Sequence, residues 1–94
     1  MTRIRMCYER DGYRVSTEGH AGTSASCAAV SAIVQALAGW VHNHVGAIQL
    51  EKGRALITFP KQEGADAVFE LTTIGLLQVQ RAAPEDVSVT VCEE

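Results

Sequence analysis

No stripe of basic residues runs through this 94-residue sequence, and its formal charge is −3 at pH 7. Proteins that bind nucleic acid by neutralising phosphates need such a stripe, so no direct nucleic-acid role is expected. An apolar leader is missing too: the opening MTRIRMCYERDG carries arginines at every second position, where a signal peptide has its core. The cysteines Cys7, Cys27 and Cys92 are odd in number, which without a leader predicts a reducing, cytoplasmic setting rather than a disulfide scaffold. The longest weakly polar run, ASCAAVSAIVQALAGWV, is short for a bilayer crossing and is interrupted by Ser31 and Gln35. It reads as a buried helix, with no membrane role. No repeat, low-complexity tract or linker divides the chain, so residues 1–94 are expected to form one domain.

What is present fits a small globular unit: 47% of residues are hydrophobic and 20% charged. The core is small at this length, and helix packing or an oligomeric interface has to supply part of the stability. Ile4, Met6 and Tyr8 alternate with Arg3, Arg5 and Cys7, the period of a half-buried strand. RDG at 10–12 supplies turn chemistry, and Tyr13, Val15 and Thr17 alternate in their turn, which predicts a hairpin. Thr23, Ser24 and Ser26 offer capping oxygens ahead of Cys27, Val30, Val34, Leu37 and Val41, whose spacing marks one helix face from about Ser26 to His44. Gly39 weakens that helix and is read as a point of close packing. AIQLE and RALITFP flank KG as a second hairpin that Pro60 ends. A second helix is expected over Glu63 to Ala82, stopped by Pro84, and Val87, Val89 and Val91 mark a last strand. The order is ββαββαβ: an α+β fold with two helices and a mixed or largely antiparallel sheet.

The chemistry concentrates in GHAGTSASCAAVSAIVQAL, residues 19–37. A cysteine attacks as its thiolate, and the partial positive charge of a helix N-terminus favours that anion. A neighbouring imidazole adds to the effect, and the same turn offers N–H groups to a developing oxyanion. Seven residue steps separate His20 from Cys27, at most about 25 Å when extended, so the loop has the length to fold back. Gly19 and Gly22 bracket it and ease a tight return. A free cysteine alone is more often a small core hydrophobe, and a lone histidine more often satisfies backbone. Together at a strand end and a helix start, the two residue types point equally to a nucleophile and its base.

GHAG followed by CAAVSAIVQAL resembles the signature of the ribosomal-processing cysteine protease family, Prp, and the element order, length and TTIGLLQVQRAAPEDVSV ending are similar to it as well. The resemblance implies a thiol protease with His20 as catalytic histidine, Cys27 as nucleophile, and Gly19 and Ser31 in supporting positions. It implies no cofactor, a homodimer, and as substrate the N-terminal extension of a ribosomal protein precursor, the large-subunit protein called L-twenty-seven. The position three residues before the cysteine, an aspartate in the family, is Ser24 here, and the loop AGTSAS is shorter. A short loop predicts a dyad left open and largely preformed. It also motivates the alternative, a non-enzymatic module that holds a peptide or ribosomal protein on the same fold. A redox sensor would need a resolving cysteine near Cys27, and the sequence offers none there.

His42 and His44 lie near a helix end, where their charge is favourable, and no metal site is expected from them because two further ligands are missing. Cys7 and Cys92 read as packing residues in strands, Trp40 as core or interface, and EGAD and PEDV as solvated element starts. Asp11, Glu18, Asp66 and Glu70 are each candidates to orient His20, and periodicity does not choose among them.

Overall fold

A computed structural model describes residues 1–20 and 24–93, without the side chain of Ser24. The strands and helices follow in the order β1 (Thr2–Glu9), β2 (Gly12–Gly19), α1 (Ser24–His42), β3 (Ala47–Glu51), β4 (Arg54–Pro60), α2 (Ala65–Ala82) and β5 (Val87–Glu93). This is the expected ββαββαβ order. One sheet of order β3-β4-β2-β1-β5 collects all five strands. Its pairs are antiparallel except β1 with β5, which run parallel, so the sheet is mixed.

One face of the sheet packs against the helices and the other is wetter, which is why β4 and the first five residues of β1 alternate between more buried and more exposed positions. Ile4, Met6, Tyr13, Val15, Ile57 and Phe59 point into the core, while Arg3 and Arg5 stay exposed. The helices close the dry face with Val30, Val34, Leu37 and Val41 from α1 and Phe69 and Leu76 from α2. Phe69 is fully buried and stacks on Tyr13 at 4.6 Å between ring centroids, fixing α2 over the first hairpin. By length and composition α1 is apolar enough to cross a bilayer, more so than the run suggested. Here its apolar stripe lies on the sheet.

Two details differ from the sequence reading. Cys7 and Cys92 are not separate packing residues but a disulfide pair, 85 positions apart. The parallel register sets Cys7 directly opposite Cys92, and local periodicity carries no information about such a pairing. Nor is Gly39 a point of close approach, since a Cβ there would meet nothing within 4 Å. The helices approach closely at Gly75 instead, where an added Cβ would lie 3.3 Å from Ile33 Cδ1.

Candidate active site

β2 carries His20 to its place. At its end Gly19 pairs with Thr2 of β1 and donates its N–H to the carbonyl of Gly53 at 2.9 Å. Gly19 has φ +92°, and a Cβ on it would sit 2.3 Å from the carbonyl oxygen of Met1. Both facts demand glycine, because an L side chain is strained at that φ and has no room there. The chain then turns so that the His20 ring lies against the β3–β4 turn. A Cβ on Gly53 would be 3.0 Å from His20 Nε2, and Gly53 itself has φ +77°.

Helix α1 supplies the thiol. Cys27 sits one turn into the helix and is a free, exposed cysteine. The periodicity placed it on the same stripe as Val30 and Val34, which are buried. That stripe runs off its packed section at the N-terminal end, and there it faces an open cavity instead of the core.

His20 and Cys27 line this one cavity of about 240 Å³. Ser31 and Gln35, the next residues on the Cys27 side of α1, continue its polar wall. Val30, Val34, Leu50 and Ala55 add apolar lining, and Glu51 and Arg54 bring opposite charges to it. Among the described residues no hydrogen bond joins the Cys27 thiol to the His20 ring. The fold thus brings the two to one cavity without closing them into a bonded pair, as unliganded nucleophile–base pairs often stand. A second concavity of about 500 Å³, on the wet face with Arg3, Arg5 and Ser16, contains neither residue.

The supporting residues divide. Gly19 and Ser31 line the cavity with the pair, whereas Ser24 opens α1 but its side chain lies outside the described residues. Half of the loop AGTSAS, residues 21–23, is outside them as well, so the expected openness of the loop lies outside the described residues. None of Asp11, Glu18, Asp66 and Glu70 lines the cavity; the acid that does is Glu51. His42 stands in the last turn of α1, and His44 stacks on Trp40 at 4.0 Å with Nδ1 2.7 Å from the Trp40 carbonyl oxygen. No cluster of three or more metal-ligating side chains occurs among the described residues.

The sequence reading missed Asp86. Read as part of a solvated strand start, it is 7% exposed and accepts a hydrogen bond from Ser26 Oγ on Oδ2 at 3.1 Å. Ser26 is therefore engaged across the fold, beyond the local capping expected of it. No periodic signal could have revealed this, because the partners are 60 positions apart. Gly53 was likewise visible only as half of a turn.

The family profile described as Cysteine protease Prp matches residues 1–88. Among solved structures, one from Streptococcus mutans superposes with a TM-score of 0.82 at 19% identity, covering 100% of this chain and 96% of that one. An essential ribosomal processing protease from S. aureus, in complex with a covalently linked product peptide, gives 0.82 at 15% identity over 97% of this chain and 99% of that one. The same S. aureus protease with a substrate peptide gives 0.78 at 13% identity over the same shares. At these identities the superpositions speak for the fold. Among curated proteins, none matches by sequence.

Proposed function

Since the chain belongs to the Prp family of cysteine proteases, we propose that it is an endopeptidase in which Cys27 is the nucleophile and His20 the general base. The observation that carries this reading is the shared cavity: an exposed free thiol at the start of a helix faces the same space as an imidazole seated on a glycine turn. His20 takes the thiol proton as the sulfur attacks the peptide carbonyl carbon, forming a C–S bond. The carbonyl oxygen becomes an oxyanion, which N–H groups of the first turn of α1, lacking partners within the helix, are suited to hold. The tetrahedral adduct collapses as His20 passes its proton to the leaving amine and the C–N bond breaks. Water, deprotonated by His20, then cleaves the thioester and frees the thiol.

The substrate we assign is a ribosomal protein precursor with an N-terminal extension, by likeness to the S. aureus protease and its bound peptides. We place the reaction in the cytoplasm, where the parallel register would hold Cys7 and Cys92 side by side even as thiols. A homodimer completes the reading. α2 exposes Leu71, Ile74 and Leu77 at 70%, 47% and 37%, an apolar surface suited to a second copy.

Incubation with the precursor of the large-subunit ribosomal protein from the same cell, followed by mass spectrometry, tests the reading. One internal cut is expected, lost in Cys27→Ser and in His20→Ala. An intact precursor with the wild-type protein, or cleavage that survives Cys27→Ser, would overturn it.

A further inference from the structure

Helix α1 has no acidic residue in its own first turn, although that turn presents the positive end of the helix dipole and the nucleophile follows directly. The acid comes from elsewhere in the chain. Asp86, at the threshold of β5, reaches the turn with its carboxylate and accepts the Ser26 hydroxyl at 3.1 Å. Its backbone is tied on both sides. The Asp86 N–H donates to the carbonyl of Ala83 at 3.0 Å, just past the end of α2, and its carbonyl accepts the Thr2 N–H at 2.8 Å. Thr2 is the register partner of Gly19, the residue before His20. Ser26 is the residue before Cys27. One buried residue therefore reaches the base through Thr2 and Gly19, and the nucleophile through Ser26.

We infer that Asp86 is a positioning residue: through its backbone bond to Thr2 and its side-chain bond to Ser26 it sets the separation of His20 and Cys27. The inference rests on the dyad proposed above. Asp86 touches neither reacting atom in this role. Its carboxylate braces α1 against the edge from which β2 delivers the histidine, and the fixed strand register makes that edge a rigid reference. A carboxylate also suits a helix N-terminus electrostatically, so it is a stronger anchor for this turn than a neutral acceptor.

Asp86→Ala and Ser26→Ala remove opposite halves of the bond, whereas Asp86→Asn keeps an oxygen acceptor of the same shape. The first measurement is the rate of iodoacetamide reaction with Cys27 at neutral pH, which needs no substrate. Asp86→Ala and Ser26→Ala should each slow it several-fold, the double variant no more than the worse single one, and Asp86→Asn should recover most of the rate. In a His20→Ala background the Asp86→Ala effect should vanish, because no pair is left to position. The second measurement is precursor cleavage. A pair displaced by a fraction of an ångström should lower kcat by about tenfold, and up to about a hundredfold if it moves by 1 Å, with KM within about threefold. Ser26→Ala, which deletes a single oxygen, serves where Asp86→Ala does not fold. If His20→Ala slows alkylation and Ser26→Ala and Asp86→Asn both match the wild type in rate and kcat, with Asp86→Ala also matching where it folds, the brace is refuted and the dyad stands. Alkylation unaffected by His20→Ala would remove the dyad and the brace together. A loss confined to KM would refute positioning.

Discussion

Replacing Gly53 by alanine separates what the fold needs from what the site needs. Gly53 adopts φ +77°, and an added Cβ would lie 3.0 Å from Nε2 of His20 and 3.4 Å from its Cε1. The backbone penalty for an L residue in that region is about 1–2 kcal/mol. For a domain of this size that should lower the Tm by roughly 4–15 °C. The side-chain consequence is distinct. To regain ordinary contact the imidazole must retreat by a few tenths of an ångström, and as an exposed ring it can do so at little cost in stability. A 1 Å misplacement of a catalytic group costs up to about a hundredfold, so this smaller shift should reduce kcat about three- to tenfold. Gly53→Asn distinguishes the two effects, because asparagine tolerates positive φ but carries the same Cβ. Thermal melting and precursor cleavage are measured on the same preparations. Asparagine should recover much of the Tm and little of the kcat. Recovery of both together, or full activity in Gly53→Ala, would show that the ring does not depend on the turn beneath it.

Other outcomes follow from features already described. Gly39→Ala, in a helix interior where the new methyl meets nothing within 4 Å, should raise stability by about 1 kcal/mol without touching activity, as read by urea melts. Brief alkylation at neutral pH without reductant should label Cys27 alone, with Cys7 and Cys92 appearing only after reduction; peptide mapping that finds either of those first would remove Cys27 as the reactive thiol. Leu71→Glu with Ile74→Glu should convert a dimer to a monomer in sedimentation while the circular dichroism spectrum at room temperature stays that of the wild type, since both side chains are exposed in the single chain.

The strands and helices were legible because their signal is local. Arg3 and Arg5 against Ile4 and Met6 spell out a half-wet strand, and the Val30–Val34–Leu37–Val41 stripe a packed helix, before any partner is known. Helix α1 begins at Ser24 and ends at His42, two residues earlier at each end than its periodicity suggested. What was illegible depends on partners far along the chain. The parallel pairing of β1 with β5, and with it the meeting of Cys7 and Cys92, follows from how α2 returns the chain to the sheet. Asp86 resembled any acid in a solvated turn, because its bonds reach α1, β1 and the end of α2. The motif GHAG showed the histidine and its glycine but not why the glycine is needed. That reason lies in its positive φ and in the Met1 carbonyl, which the motif does not contain.

The sheet order also governs when the enzyme can come into being. β1, the earliest of the five strands along the chain, sits between β2 and β5, and its parallel partner is the latest of the five. On an elongating chain β1, β2 and α1 emerge before β5, yet Thr2 and Ser26 have no Asp86 to bond until the chain beyond α2 is made. Closing a contact of such sequence separation carries a large loop entropy and belongs late in folding. Until then the first hairpin has an open edge and α1 lacks its bond to Asp86. Proteolytic competence should therefore appear as a step once β5 has been made and paired, so a chain synthesised only as far as α2 has no assembled site with which to cut its neighbours.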